Sequence, residues 1–182
     1  MTFVGVLGIL AAMAAYAFAG RSRQSRIPPL VLALLILAHF GTTLFYYSWQ
    51  KTNLSDAPLY YYDYYGLRDL GFFFGTIFLV DFVQTLRDLV GGTYLDYFFL
   101  FQASGLWAVV FLMRTFQEIY EDLGSEQPSW TYCLLFLPSL HFWTSAIGKD
   151  GPLALGSAMA VWASMRVTSR WPALAASFAI MT

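Results

Sequence analysis

Long apolar runs, almost free of charge, dictate the solvent in which this chain can fold. A helix needs about 20 predominantly apolar residues to cross the ~30 Å hydrocarbon layer of a membrane. Runs of that kind cover about residues 2–20, 29–49, 97–117, 130–147 and 152–168. A sixth opens at Trp171 and is still apolar at Thr182. Those last residues reach only about 18 Å as a helix, so the pattern is that of the N-terminal part of a longer protein. Charged residues make up 12% of the 182, about half the roughly 25% of a soluble domain. Ten basic and eleven acidic side chains are too few to cover the surface of a soluble enzyme, which is thereby excluded. The expected fold is all-α: a polytopic transmembrane helix bundle in which residues 1–182 form a single membrane domain.

Three further absences narrow the function. A net charge of −1 offers no clustered basic face, so no nucleic-acid partner is expected. The one cysteine, Cys133, excludes a disulfide framework, and His39 and His141 are too few for a histidine-rich metal site, so no metal ligands are assigned. No phosphate-cradling glycine loop, nucleophile elbow or HExxH helix occurs.

Basic residues set the orientation. The first run ends in Ala17-Phe18-Ala19, which resembles a signal-peptidase site, but no Lys or Arg precedes it and Arg21, Arg23 and Arg26 follow it. That order suits a retained span with its N-terminus outside. Alternating from there places residues 50–96 outside, 118–129 inside, 148–151 outside, and Arg166 and Arg170 inside. The scheme holds only if the stretch 70–90 does not cross. Its near-continuous apolar part, Leu70–Val83, is interrupted by Asp81 and followed by Gln84, Arg87 and Asp88. Asp81, Gln84 and Asp88 share one helical face opposite Leu79, Phe82, Val83, Leu86 and Val90. An external interfacial or re-entrant helix over about 70–90 is expected.

Candidate chemistry lies in two outer segments. The loop KTNLSDAPLYYYDYYGLRDL, residues 51–70, sets Tyr60, Tyr61, Tyr62, Tyr64 and Tyr65 among Asp56, Asp63 and Asp69, with Arg68 beside the last. Aromatic rings next to carboxylates stack on sugar faces and accept hydroxyl hydrogen bonds, and an external Asp can serve as a general base. A tyrosine-rich interfacial anchor with solvated acids accounts for the same residues. The second segment, LPSLHFWTSAIGKDGPLALG, holds Pro138, which frees a carbonyl within a span. It then runs from His141 to Lys149 and Asp150 in a tight turn. Lys149 at the outer surface suits a phosphate or diphosphate of a lipid carrier; a Lys–Asp pair capping a hairpin is the structural alternative. His141 is either a proton donor or a hydrogen-bonded core residue. Asp81 needs protein, water or a cation beside it, with Arg68 and Arg87 as partners. Residues 114–130 form a solvated connector.

The external Asp/Tyr loop, the run YGLRDLGFFFGTIFLVDFVQTLRDLVGGTYLDYFFLFQASGLWAVVFLMRTF that follows it, and the string LFLPSLHFWTSAIGKDGPLALG together resemble bacterial polytopic proteins of cell-surface polysaccharide assembly. These comprise polysaccharide polymerases and membrane glycosyltransferases of the GT-C class. The resemblance covers roughly residues 56–160 and is sharpest at Pro138–Ser139, Phe142–Ser145 and Lys149–Asp150. It implies a multi-pass protein of a bacterial inner membrane that transfers or polymerises sugars from a polyprenyl-linked donor at the outer face. Its partners would be the polyprenyl-linked glycan, membrane lipid and other polysaccharide-assembly proteins. It implies catalytic acids among Asp63, Asp56 and Asp69, and substrate-binding roles for Tyr61, Tyr64, Arg68, His141, Lys149 and Asp150. No cofactor is required, though a divalent cation is compatible with the acids. The acidic loop follows the second span here, where many GT-C enzymes carry it after the first. The alternative function is that of a non-enzymatic transport or assembly subunit. A transporter should place paired ionisable groups near mid-membrane, whereas here the acids and Lys149 gather at one boundary.

Overall fold

The computed structural model describes residues 2–19, 27–70 and 75–181. Arg21, Arg23 and Arg26, on which the orientation rests, lie outside the described residues. Those described form α-helices and two 3-10 segments, with no strand among them. The helices are α1 (Phe3–Ala19), α2 (Pro29–Trp49), α3 (Ala57–Tyr62), α4 (Thr76–Val90), α5 (Tyr94–Asp122), α6 (Pro138–Thr144), α7 (Asp150–Ser164) and α8 (Val167–Met181). The 3-10 segments are Leu67–Leu70 and Ser129–Phe136. The chain is all-helical, and α2 and α5 are each long and apolar enough to cross a membrane.

Helix α5 is the axis. Its 29 residues give a rod of about 43 Å, longer than the expected 97–117 because both ends are polar. Thr93 and Asp96 close a capping box at its start: Thr93 N–H donates to Asp96 Oδ2 (2.9 Å) and Asp96 N–H to Thr93 Oγ1 (3.4 Å), which satisfies otherwise unpaired backbone donors. Helices α1 and α7 lie along α5, α8 packs on α7, and α2 touches α5 and α6. Close approach requires small residues. The stripe of Gly8, Ala12 and Ala15 provides it: a side chain at Gly8 would collide with the Phe99 carbonyl of α5, and Ala12 and Ala15 are buried. Trp107 Nε1–H donates to Ala11 O (2.9 Å) and Arg114 to Phe18 O (2.8 Å), locking α1 to α5. The outward side of α2, by contrast, shows Leu30, Leu34, Leu37, Leu44 and Phe45 uncovered.

Several elements depart from their sequence-based bounds. The run 130–147 is not one helix. It is a 3-10 segment to Phe136, an extended residue at Leu137 (φ −60°, ψ 116°), and the short α6. Pro138 is the cause: it lacks an N–H, and its ring disfavours helical backbone in the residue before it. The runs 152–168 and 171–182 become α7, ending at Ser164, and α8, which is kinked at Arg170 (φ −119°) two residues before Pro172. The surface stretch 70–90 narrows to α4, bracketed by Gly75 and Gly91 at positive φ. Its faces also differ. Asp81 and Asp88 are partly exposed, but Gln84 is buried and its Nε2–H donates to Tyr61 O (2.5 Å) and Tyr60 O (3.3 Å), while Phe82 and Val90 face outward. The carbonyls at the end of α3 have no partner within their own helix, and Gln84 supplies the donor.

This packing sorts the polar loops to two ends. The tyrosine-rich end holds α3, α4, the start of α5 and the turn before α7: Thr2 N–H reaches Asp96 Oδ1, Tyr61 OH donates to Gly92 O (2.7 Å), and Tyr94 OH to Gln50 Oε1 (3.2 Å). The arginine-rich end joins the last turns of α1, α5 and α7 to the start of α8 through Arg114, Arg166 and Arg170.

Candidate functional site

A pocket of about 200 Å³ at the tyrosine-rich end brings the two outer segments together. Asp56 at the N-cap of α3 and Tyr60 within α3 line it, with Tyr46 and Trp49 from the last turns of α2, Trp143 from α6, and Lys149 and Asp150 from the start of α7. Local sequence explains each placement. Pro58 stands in the first turn of α3, where its missing N–H costs nothing. Tyr46 and Trp49 are one turn apart on α2 and their rings pack at 5.5 Å. Asp150 occupies the first turn of α7, the favoured place for an acid on the helix dipole.

The charges in this pocket are not tied up. Among the described residues, Asp56, Lys149 and Asp150 make no ion pair, and all three are exposed. Tyr60 lies behind them, buried; removal from water, together with the nearby Asp56 and Asp150 carboxylates, holds its phenol above the ordinary tyrosine value. A cation, two carboxylates and exposed indole on one small surface can hold an anionic group at Lys149 and hydroxyls at the acids. Among the described residues no three His, Cys, Asp or Glu side chains converge to hold a metal ion.

A second, apolar groove of about 870 Å³ lies on the flank of the bundle beside this pocket. Val109, Met113 and Phe116 of α5, Leu135 and Leu140 of the broken segment and Leu153 of α7 line it, and it shares Trp143 and Asp150 with the polar pocket. The break at Pro138 makes this groove, because a straight helix over 130–147 would present a continuous ridge to α5.

The other expected site residues have different surroundings. Asp63, in left-handed backbone (φ 48°) at the end of α3, accepts from the Leu67 N–H (2.7 Å) and the Arg68 N–H (3.2 Å), holding the 3-10 turn. Arg68 reaches Asp88 (2.5 Å) and Asp81 (3.4 Å), and its hydrogen bond to Asp88 draws that carboxyl below its ordinary range. Tyr61 is buried, with its hydroxyl on Gly92 O and Arg87 donating to its carbonyl (2.7 Å). Tyr64 is exposed and stacks on Tyr62 (5.4 Å). The side chain of Asp69 lies outside the described residues. His141 is buried away from Lys149, against His39 (Nδ1 to Nδ1, 2.8 Å). Sequence reasoning did not place Tyr46, Trp49 or Trp143 in the pocket; their position at the ends of apolar runs was the available signal. It also did not pair the two histidines, which stand 102 residues apart.

No family model, curated protein or solved structure matches this chain.

Proposed function

We propose that this is a multi-pass protein of a bacterial inner membrane, N-terminus outside, that acts on a polyprenyl-linked sugar at the outer face during cell-surface polysaccharide assembly. The observation that supports this is that the two cavities share Trp143 and Asp150 in their linings. An apolar groove beside a polar, aromatic pocket matches a long-chain amphiphile whose headgroup carries phosphate and sugar. In this reading the chain lies along α5, Lys149 meets the phosphate, and Trp49 and Trp143 offer faces to a sugar ring. Asp56 then replaces Asp63 as the preferred acid for an acceptor hydroxyl, since the Asp63 carboxylate already caps backbone N–H groups. The uncovered apolar sides of α1 and α2 fit lipid contact.

The test is a surface-glycan profile after gene deletion, with intact and mutant copies restored. Loss or shortening of one polysaccharide, rescued by the intact gene but not by Asp56→Ala or Lys149→Ala copies made at normal level, is the expected result. An unchanged profile would overturn it. The second reading, a transport or assembly subunit, is favoured by one observation: the buried His39–His141 pair within the bundle, the kind of polar group that transport paths place there.

A further inference from the structure

We propose that His39 and His141 form a proton-binding site, holding one proton between their Nδ1 atoms and clamping α2 onto the rest of the bundle. The hydrogen bonds define the protonation. His39 Nε2 lies 2.8 Å from the Gln102 carbonyl and His141 Nε2 lies 2.6 Å from the Leu135 carbonyl. A carbonyl oxygen only accepts, so both Nε2 atoms carry hydrogen. A neutral imidazole has a single N–H, which leaves both Nδ1 atoms bare. Yet these atoms face each other at 2.8 Å, a hydrogen-bond distance. Two lone pairs repel at that separation, and one added proton turns the contact into a charge-assisted hydrogen bond.

The sequence supplies the second carbonyl. In a 3-10 segment the Leu135 oxygen would accept from the residue three positions on, which is Pro138 and has no N–H. The carbonyl is thus left for His141, one turn into α6. The shared charge rests on two ring systems and two carbonyl dipoles. No Asp, Glu, Lys or Arg occurs in α1, α2 or residues 129–144; α5 has none between Asp96 and Arg114, and α7 has only Asp150. The tyrosines of α2 and α5, with Tyr132 and Cys133, form no hydrogen bond to either ring among the described residues. The Gln102 side chain is also buried, with neither amide atom hydrogen-bonded. Access exists from the flank, where a cleft of about 520 Å³ between α2 and α6 reaches His141 past Thr42 and Ser139. Loss of the proton leaves two bare Nδ1 lone pairs facing each other and weakens the contact that holds α2 against α6.

With only two histidines in the chain, ¹⁵N-histidine labelling of the whole protein in lipid nanodiscs reads the site directly. His39→Gln and His141→Gln variants assign the signals, and the measurement itself uses the native chain. The expected spectrum at pH 7 has both Nε2 atoms protonated and both Nδ1 resonances shifted together from the bare-nitrogen position; one proton per chain is then released in a single step as pH rises. Two neutral rings with bare Nδ1 atoms from pH 5 to 9 would overturn the proposal. So would one ring protonated at Nδ1 with its Nε2 bare, because that pair bridges without added charge.

Discussion

The two ends of the bundle hold charge in different ways. At the arginine-rich end every described arginine is engaged by the fold. Arg170 makes two 2.8 Å contacts with Glu118 while lying over the Trp162 ring at 3.9 Å; Arg166 reaches Asp122 (2.9 Å); Arg114 donates to the Phe18 carbonyl. Those bonds tie α1, α5, α7 and α8 together, so the charge there is structural. At the tyrosine-rich end Arg68 and Arg87 are engaged in the same manner, but Lys149, Asp56 and Asp150 are not. The comparison teaches that ionisable residues at the two ends of this bundle divide into those that close the fold and those left facing a pocket. Only the second kind is available to a ligand.

Mutations break that comparison most sharply at Glu118. Its side chain and that of Arg170 are 15% and 18% exposed, so Glu118→Ala strands a partly buried guanidinium and removes the acceptor of Trp162 Nε1. A loss of about 3 kcal/mol is expected, read by thermal unfolding in nanodiscs. Gly105→Val, which sets new atoms against Thr144 where even a Cβ would lie at 2.6 Å, should cost about 1–3 kcal/mol and disturb the apolar groove. Lys149→Ala and Asp56→Asn should change stability by no more than about 0.5 kcal/mol in the same assay while abolishing glycan output; a large stability loss would move them to the structural class. The smallest effect is a pH response. Burial holds the Tyr60 proton more tightly in the folded state than in the unfolded one, so this contribution is present below the ordinary value of 10.0 and fades as pH rises beyond it. Unfolding scans between pH 9 and 11 should show a decline that is shallower in Tyr60→Phe.

Residues that act locally were legible in the sequence, and those that act across the bundle were not. The bounds of α2 follow directly from an uninterrupted apolar run opened by proline. The convergence of Asp56 with Lys149 and Asp150 was half legible, because polar residues between apolar runs collect at the ends of a bundle. The role of Asp63 was hidden, since an acid that caps a turn and an acid that meets a sugar look alike in a tyrosine-rich loop. Pro138 was readable as a break, but the two consequences of that break, the groove and the free Leu135 carbonyl, depend on α5 and α2 lying alongside. The histidine pair and the burial of Gln84 are tertiary events with no local signature.

Binding to a polyprenyl phosphate tests the central claim most directly. The whole chain would be placed in nanodiscs and titrated with the lipid, beside Lys149→Ala and Arg166→Ala. Lys149→Ala should weaken binding about tenfold or more, the loss of one charge-assisted contact, while Arg166→Ala leaves it unchanged. Equal binding by all three, or a loss confined to Arg166→Ala, would contradict the assignment of the tyrosine-rich end as the ligand-binding end.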